Sequence, residues 1–353
     1  MPTLSDILGQ DRAISALRGA LSAGRVHHAW VFHGPSGVGK MTTARAFAAA
    51  LLDPTLAPNL AGELEPDPDS ETQRLINANV HPDLHIVTKE LALFSDDANV
   101  RARKLITIPR QVVDEHLVRP AALTARVPTG ARAGKVFIVD EAELLDEGTQ
   151  NAVLKTLEEP APGTVIILVT SRENRLLPTI RSRCQRVAFA PLDDASMRAW
   201  IKLDKERASI GQEQRDWLIR FADGAPGRFE LAQTMGLFAW KRELAPRLDA
   251  ADHGSFDPDL GKTMSDLVES YAQAWVDAHE NASKDAANKD GARQLFALLA
   301  HRAQETLRAA KDDAIAHRAL ATIDAIGEAE RNIDSNVNMK FAFEDLAARL
   351  ARA

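Results

Sequence analysis

HGPSGVGKMTTA, residues 33–44, is one residue short of a phosphate-binding loop. The pattern G-x-x-x-x-G-K-[S/T] runs through Gly34, Gly39 and Lys40, then meets Met41 where a hydroxyl belongs. Backbone N–H groups of such a turn, with the start of the next helix, make a concave anion site. Gly37 and Gly39 let the chain curl closely around phosphate, and Lys40 places a positive charge between the outer phosphates. An ordinary Gly-rich turn is the alternative reading. The flanks decide between them, because a phosphate loop must join a strand to a helix. HAWVFH, residues 28–33, is a short buried-strand candidate, and the Ala-rich run from Thr42 to Leu52 reads as a helix.

Further from the loop the same alternation continues. Residues Asp11 to Ala23 carry Ile14, Leu17 and Leu21 at helical spacing. KVFIVD (Lys135 to Asp140) and TVIILVT (Thr164 to Thr170) are apolar, β-branched runs of the kind found in buried parallel sheets, and Gly148 to Glu159 between them predicts a helix stopped at Pro160. His85-Ile86-Val87 begins a further strand. Strands alternating with helices predict an α/β fold, a parallel sheet flanked by helices, over residues 1–190. From Asp193 the strand signal fades. Residues 191–245 read as a small domain of short helices broken at GAPG (224–227), and 246–353 as an Ala-rich, all-α domain with a polar insert at Asn281 to Gly291.

Composition sets limits on function. Hydrophobic residues make up 45% and charged residues 26%, as in ordinary globular domains. The net charge of -7 argues against a protein that coats nucleic acid over much of its surface, though not against a local basic groove. A single cysteine, Cys184, excludes a disulfide framework and a cysteine-rich zinc site, and reads as a small buried residue rather than a nucleophile. No apolar run is long enough to span a membrane, and MPTLSDILGQ lacks the basic start and apolar stretch of a secretory signal, so the expected location is the cytoplasm.

Four further stretches carry chemistry. The strand ending in Asp140-Glu141 puts two carboxylates at the C-terminal edge of a parallel sheet, where such folds bind ligands. Asp140 would help hold Mg²⁺, and Glu141 could polarise an attacking water. A helix N-terminal charge is the plainer reading of this pair. Thr170-Ser171 ends the next strand, where a hydroxyl could meet the outer phosphate or cap the adjoining turn. Arg172, Arg175, Arg181, Arg183 and Arg186 crowd one segment, either as a solvated face or as a source of a guanidinium for a neighbouring subunit. Arg228, after Gly224-Ala225-Pro226-Gly227, opens a helix from which it could swing toward bound phosphates.

In this order the pieces resemble the AAA+ clamp-loader subunits of the bacterial replicative DNA polymerase. The resemblance runs through GQDRAISALRGALSAGRVHHAWVFHGPSGVGK (9–40), VFIVDEAELLDEGTQNAVLKTLEEPAPGTVIILVTSRENRLLPTIRSRCQ (136–185), GAPGRFELA (224–232) and NVNMKFAFEDLAARL (336–350). Length and motif quality resemble the delta-prime type within that family, whose own nucleotide site is commonly degraded and which supplies an arginine to a neighbour's ATP. The resemblance implies that Arg183 is that trans-acting catalytic arginine and Arg228 a lid arginine. It also implies that Thr170-Ser171 is a phosphate-sensing strand end and that 246–353 is a collar joining five subunits. Implied partners are gamma/tau-like and delta-like subunits in a ring, with the sliding clamp and primer-template DNA reached through the complex.

Two departures bear on chemistry. Residues 53–80 contain no cysteine, so the family's zinc module is not expected, and this acidic, Pro-rich segment reads as a surface loop. Met41 offers a thioether, a poor ligand for a hard cation, and Thr42 lies about 100° further around the helix. ATP or ADP with Mg²⁺ is thus expected to touch Gly34, Gly37, Gly39, Lys40, Thr42, Asp140, Thr170, Ser171 and Arg228, with hydrolysis impaired. An ATP-hydrolysing gamma/tau-like motor subunit is the alternative, and a phosphate-loop phosphotransferase a more distant one.

Overall fold

A computed structural model describes residues 2–60, 62–102, 105–123, 127–279, 283–335 and 337–352. The chain divides into two compact units, one of residues 1–209 with 223–227, the other of residues 210–222 with 228–353. The segment holding GAPG thus belongs to the first unit, although the residues before and after it, 210–222 and 228 onward, belong to the second.

The first unit is built on a five-stranded parallel sheet: β1 (Ala29–His33), β2 (Leu84–Val87), β3 (Lys135–Val139), β4 (Thr164–Thr170) and β5 (Gln185–Ala188), in the order β2-β3-β4-β1-β5. Every residue of β4 is buried, as a central strand covered on both faces requires. Alternate side chains serve opposite layers. Trp30, Phe32, Val136, Ile138, Val165 and Ile167 face α1 (Asp11–Ser22) and α2 (Lys40–Leu52). Val31, Phe137, Val139, Ile166 and Leu168 face α3 (Glu147–Glu158) and the helical segment around Ile108 to Ala121. Low side-chain bulk lets α2 bury Ala44, Ala46, Ala48, Ala49 and Ala50 together, nearly all the way round.

Three local features differ from the sequence expectation. The helix after the phosphate loop starts at Lys40, two residues earlier than Thr42, because Gly39 adopts a left-handed N-cap that turns the loop straight into it. Strand β5 has no counterpart in the sequence reading, since Gln185–Ala188 buries only Val187 and shows little apolar signal. The expected surface loop at 53–80 instead holds an antiparallel pair (Ala57–Pro58 with Leu64–Glu65) and a helix, Glu71–Asn77; Ala61 lies outside the described residues. Asp53 organises this segment. Its buried carboxylate accepts from the Ser70 hydroxyl (2.6 Å), Gln73 Nε2 (2.9 Å) and the Thr55 N–H (2.9 Å). Burial works to raise the Asp53 carboxyl's pKa, but these bonds prevail and hold it below the ordinary range.

Gln10 ties the phosphate loop to β5. Its Nε2 donates to the carbonyls of Val38 (3.2 Å) and Ala190 (2.7 Å), and its Oε1 accepts from the Ala190 N–H (3.2 Å). The residue is 4% exposed, so its loss leaves backbone groups without partners. Gln10→Ala is expected to destabilise the chain by about 2–3 kcal/mol, read from urea denaturation. A loss under about 0.5 kcal/mol would mean the loop is anchored otherwise.

Every regular element among the described residues of the second unit is a helix, and five are long: α4 (Leu237–Asp252), α5 (Leu260–Ala278), α6 (Lys284–Ala309), α7 (Asp313–Asp334) and α8 (Met339–Leu350). The sequence boundary near 245 falls inside α4. Of the expected polar insert at 281–291, residues 281 and 282 lie outside the described residues; the rest is the first two turns of α6, capped where the Ser283 hydroxyl accepts from the Ala286 N–H. Ser283, Lys284, Asp285 and Asp290 are exposed while Ala287, Gly291 and Ala292 are buried. Gly261 lets α5 approach α8 closely, since a Cβ there would lie 2.8 Å from Glu344 Cα. Asn336, which opens the C-terminal motif, is outside the described residues; Phe343 and Leu346 from that motif are fully buried.

Candidate functional site

Because all five strands are parallel, their C-terminal ends share one edge of the sheet, and that edge gathers most of the expected site. The loop 34–39 leaves β1, Thr170-Ser171 leaves β4 beside it, and Asp140-Glu141 leaves β3 one strand further on. The strand order therefore places the hydroxyl pair between the phosphate loop and the acidic pair.

The loop backbone has the curvature that phosphate requires: Gly34, Gly37 and Gly39 all have positive φ, at 143°, 79° and 95°. Gly34 also passes directly under the Phe189 carbonyl, leaving no space for a Cβ. At the tip, Gly37 O accepts from the Gly227 N–H at 2.9 Å, and a Cβ on Gly227 would lie 2.9 Å from Gly37 Cα. The GAPG segment is thus the packing partner of the phosphate loop within the first unit.

Lys40 is 6% exposed, and its ammonium donates to the Gly34 (2.8 Å) and Pro35 carbonyls. Burial lowers its pKa, against the opposing pull of the Glu143 and Asp140 carboxylates. Asp140 moves the other way: burial raises its pKa, the Glu141 and Glu143 charges add to that, and the Glu141 N–H bond (2.9 Å) and Lys40 oppose it. Glu141 is half exposed and paired with Lys89 at 2.7 Å. Met41 packs against the apolar cluster of α1, α2 and the sheet. Thr42 is exposed and, with Met41, Arg45, Asn77 and Pro2, lines a cavity of about 360 Å³. The next hydroxyl, on Thr43, is buried and donates to the Gly39 carbonyl at 2.9 Å.

Arg183 lies elsewhere in the first unit. It precedes β5, whose first residue, Gln185, pairs with Trp30 near the start of β1. Arg183 is therefore at the N-terminal edge of the sheet, opposite the phosphate loop. There it pairs with Glu158 at the end of α3 (2.7 Å) and donates to the Thr179 carbonyl (3.1 Å). Arg228 belongs to the second unit, where its guanidinium stacks 4.3 Å from the Phe221 ring centroid.

Residues 9–193, just over half of the chain, match the family model described as "DNA polymerase III, delta subunit". The chain belongs to that family. Its similarity extends to other DNA polymerase III subunits. It is 27% identical over 296 residues to subunit tau of Salmonella typhimurium, covering 83% of this chain and 41% of that one. It is 33% identical over 201 residues to subunit delta' of Pseudomonas aeruginosa, covering 56% of this chain and 53% of that one. The chain thus spans about half or less of these curated relatives. A solved gamma subunit-related protein from Thermotoga maritima, 16% identical, covers 95% of this chain and 98% of its own at a TM-score of 0.45.

In this member of the DNA polymerase III delta-subunit family, two elements at the sheet edge escape a reading of the sequence. Glu143 accepts from the Ser171 N–H (3.1 Å) and from its hydroxyl, and its Oε2 is buried with no hydrogen-bond partner. Burial works to raise the Glu143 pKa, yet these bonds, its own N–H and Thr170 prevail and hold it below the ordinary range. Glu173 bridges His33 Nδ1 (3.2 Å) and the Arg186 guanidinium (2.8 Å) beside the loop. Neither carboxylate has a motif around it. The DEAEL context offers Asp140 and Glu141 as the natural candidates. A signal for Glu143 does exist in its spacing, two residues past a carboxylate pair at a strand end.

Proposed function

We propose that this chain is a delta-prime-like clamp-loader subunit, supplying Arg183 to the ATP of an adjacent subunit and hydrolysing little ATP itself. The observation that carries this is the placement of Arg183 at the sheet edge opposite Lys40. A guanidinium there is turned away from the chain's own phosphate loop, so any nucleotide it serves belongs to another chain. Its pair with Glu158 is 40% and 42% exposed and is worth about 1 kcal/mol or less, so it yields readily to a stronger anion. Partners of the kind implied are motor and delta-like subunits, with the sliding clamp and primed DNA engaged by the assembly in the cytoplasm.

The chain's own loop fits phosphate better than it fits Mg²⁺. The N-terminus of α2, the glycine curvature and Lys40 suit the outer phosphates of ATP or ADP. Asp140 would hold the metal. Met41 has no oxygen to offer and Thr43 spends its hydroxyl on Gly39, so a metal at this loop lacks its usual side-chain alcohol. When bound, Mg²⁺ would neutralise charge on the phosphates; Glu141, tied to Lys89, would have to leave that pair to polarise water.

Nucleotide turnover by the isolated chain tests this reading. The natural protein is expected to turn over ATP barely above background with Mg²⁺, and Met41→Thr to raise the rate at least tenfold by restoring a metal oxygen. Robust Mg²⁺-dependent turnover without the substitution would favour the motor-subunit alternative. Met41 is partly buried, so the variant is expected to lose about 1–2 kcal/mol of stability, a cost to be checked by melting.

A further inference from the structure

We propose that Glu143 weakens nucleotide binding at this chain's own phosphate loop, by occupying the Ser171 hydroxyl and holding a fixed negative charge beside Lys40. The inference rests on reading the loop as a phosphate site and adds to it a resident competitor. Three observations support it. First, Glu141 takes a left-handed conformation (φ 48°), uncommon for a residue with a side chain. That kink starts the short turn Ala142–Leu144 and aims Glu143 at the end of β4. Second, the Ser171 N–H and hydroxyl both point to one oxygen of Glu143. A phosphate-sensing hydroxyl at this position would have to surrender that bond before meeting a phosphate oxygen. Third, the bonds from Ser171 and Thr170 keep the carboxylate ionised while its other oxygen is buried, so the charge acts at close range on the groups around it.

Lys40 registers that charge: the carboxylate of Glu143 is the foremost of the two that pull its pKa upward. Asp140 registers it as well: its pKa is also pulled upward, because a like charge disfavours the ionised carboxylate. An incoming triphosphate would meet the same field that Asp140 does. Its anionic oxygens need Lys40 and the hydroxyl of Ser171; Glu143 already holds that hydroxyl, and its charge acts on Lys40 from a distance. Met41 and Glu143 thus act on separate properties of one site, metal support and anion affinity.

The test is isothermal titration of the full chain with ATP and ADP, with and without Mg²⁺. Glu143→Gln keeps an oxygen to accept from Ser171 and removes the charge. It is expected to bind ATP roughly tenfold more tightly than the natural chain. Glu143→Asp keeps the charge and is expected to show no such gain. Adding Lys40→Met to Glu143→Gln should abolish the gain, which places the bound nucleotide at this loop. Unchanged or weaker affinity for Glu143→Gln overturns the proposal, as does no binding by that variant at millimolar ATP. A gain that survives Lys40→Met overturns it too, since the nucleotide would then sit elsewhere. Melting without nucleotide separates a purely structural role, which would lower the melting temperature and leave affinity unmoved. Arg183 acts on another chain's nucleotide, so its role stands or falls by hydrolysis in the assembled complex, independently of these titrations.

Discussion

Arg183→Ala is expected to slow ATP hydrolysis about 10³-fold at the one nucleotide site that faces it in an assembled loader. The magnitude reflects the work of a trans guanidinium: it adds a positive charge where negative charge accumulates on the transferring phosphoryl group, in a site from which water is excluded. The measurement needs an assembly whose other motor sites are silenced at their own phosphate-loop lysines, so that one site is read. Arg183→Lys is expected to recover little, because an ammonium cannot present the planar fork of a guanidinium. Loss of folding is a poor explanation for such a result. Arg183 is substantially exposed, and its ion pair with Glu158 and its bond to Thr179 are surface contacts. Glu158→Ala serves as the control, removing the pair while leaving the guanidinium, and is expected to preserve turnover. Unchanged hydrolysis after Arg183→Ala would falsify the trans assignment.

Gly34→Ala is expected to carry the largest stability cost of any single methyl added to the phosphate loop, about 3 kcal/mol or more. Two effects combine. The backbone at Gly34 has φ 143°, which a residue with a Cβ adopts only under strain. The added carbon would also collide with the Phe189 carbonyl, a backbone group that cannot rotate aside. Phe189 is itself fixed by its N–H bond to the His33 carbonyl at 2.8 Å, so relief would have to separate β5 from β1. Gly24→Ala is the comparison: it also has positive φ (67°), but nothing lies within 4 Å of its added Cβ. That variant is expected to lose about 1 kcal/mol, the conformational part alone. Equal losses for the two, measured by urea denaturation, would show that the close approach to Phe189 has no energetic weight.

Much of this protein is local, and the local part is legible in the sequence. The strand-loop-helix around Lys40 is written in a β-branched and aromatic run, spaced glycines and an alanine-rich stretch. Each acts over a few residues through backbone sterics and side-chain period. The acidic strand end at Asp140 and the fully buried β4 are legible for the same reason. Strand β5 is hidden because an edge strand with one buried side chain, Val187, has no period to detect. The ordered segment at 53–80 is hidden because its anchor is a carboxylate: Asp53, which composition assigns to the surface, is buried by partners 17 and 20 residues away.

What the sequence by itself determined is the inventory: a phosphate loop with a thioether in place of a hydroxyl, two carboxylates after one strand, hydroxyls after another, and an arginine-rich turn. Tertiary structure alone decided their arrangement. Pairing β1 with both β4 and β5 put Thr170 and Ser171 beside the loop and sent Arg183 to the opposite edge. It also brought Glu143 onto Ser171, 28 residues further along the chain. The physical reason is one of range. Propensity and spacing act between near neighbours, whereas strand order is chosen by which apolar faces can be covered together, a property of the whole sheet that no short stretch encodes.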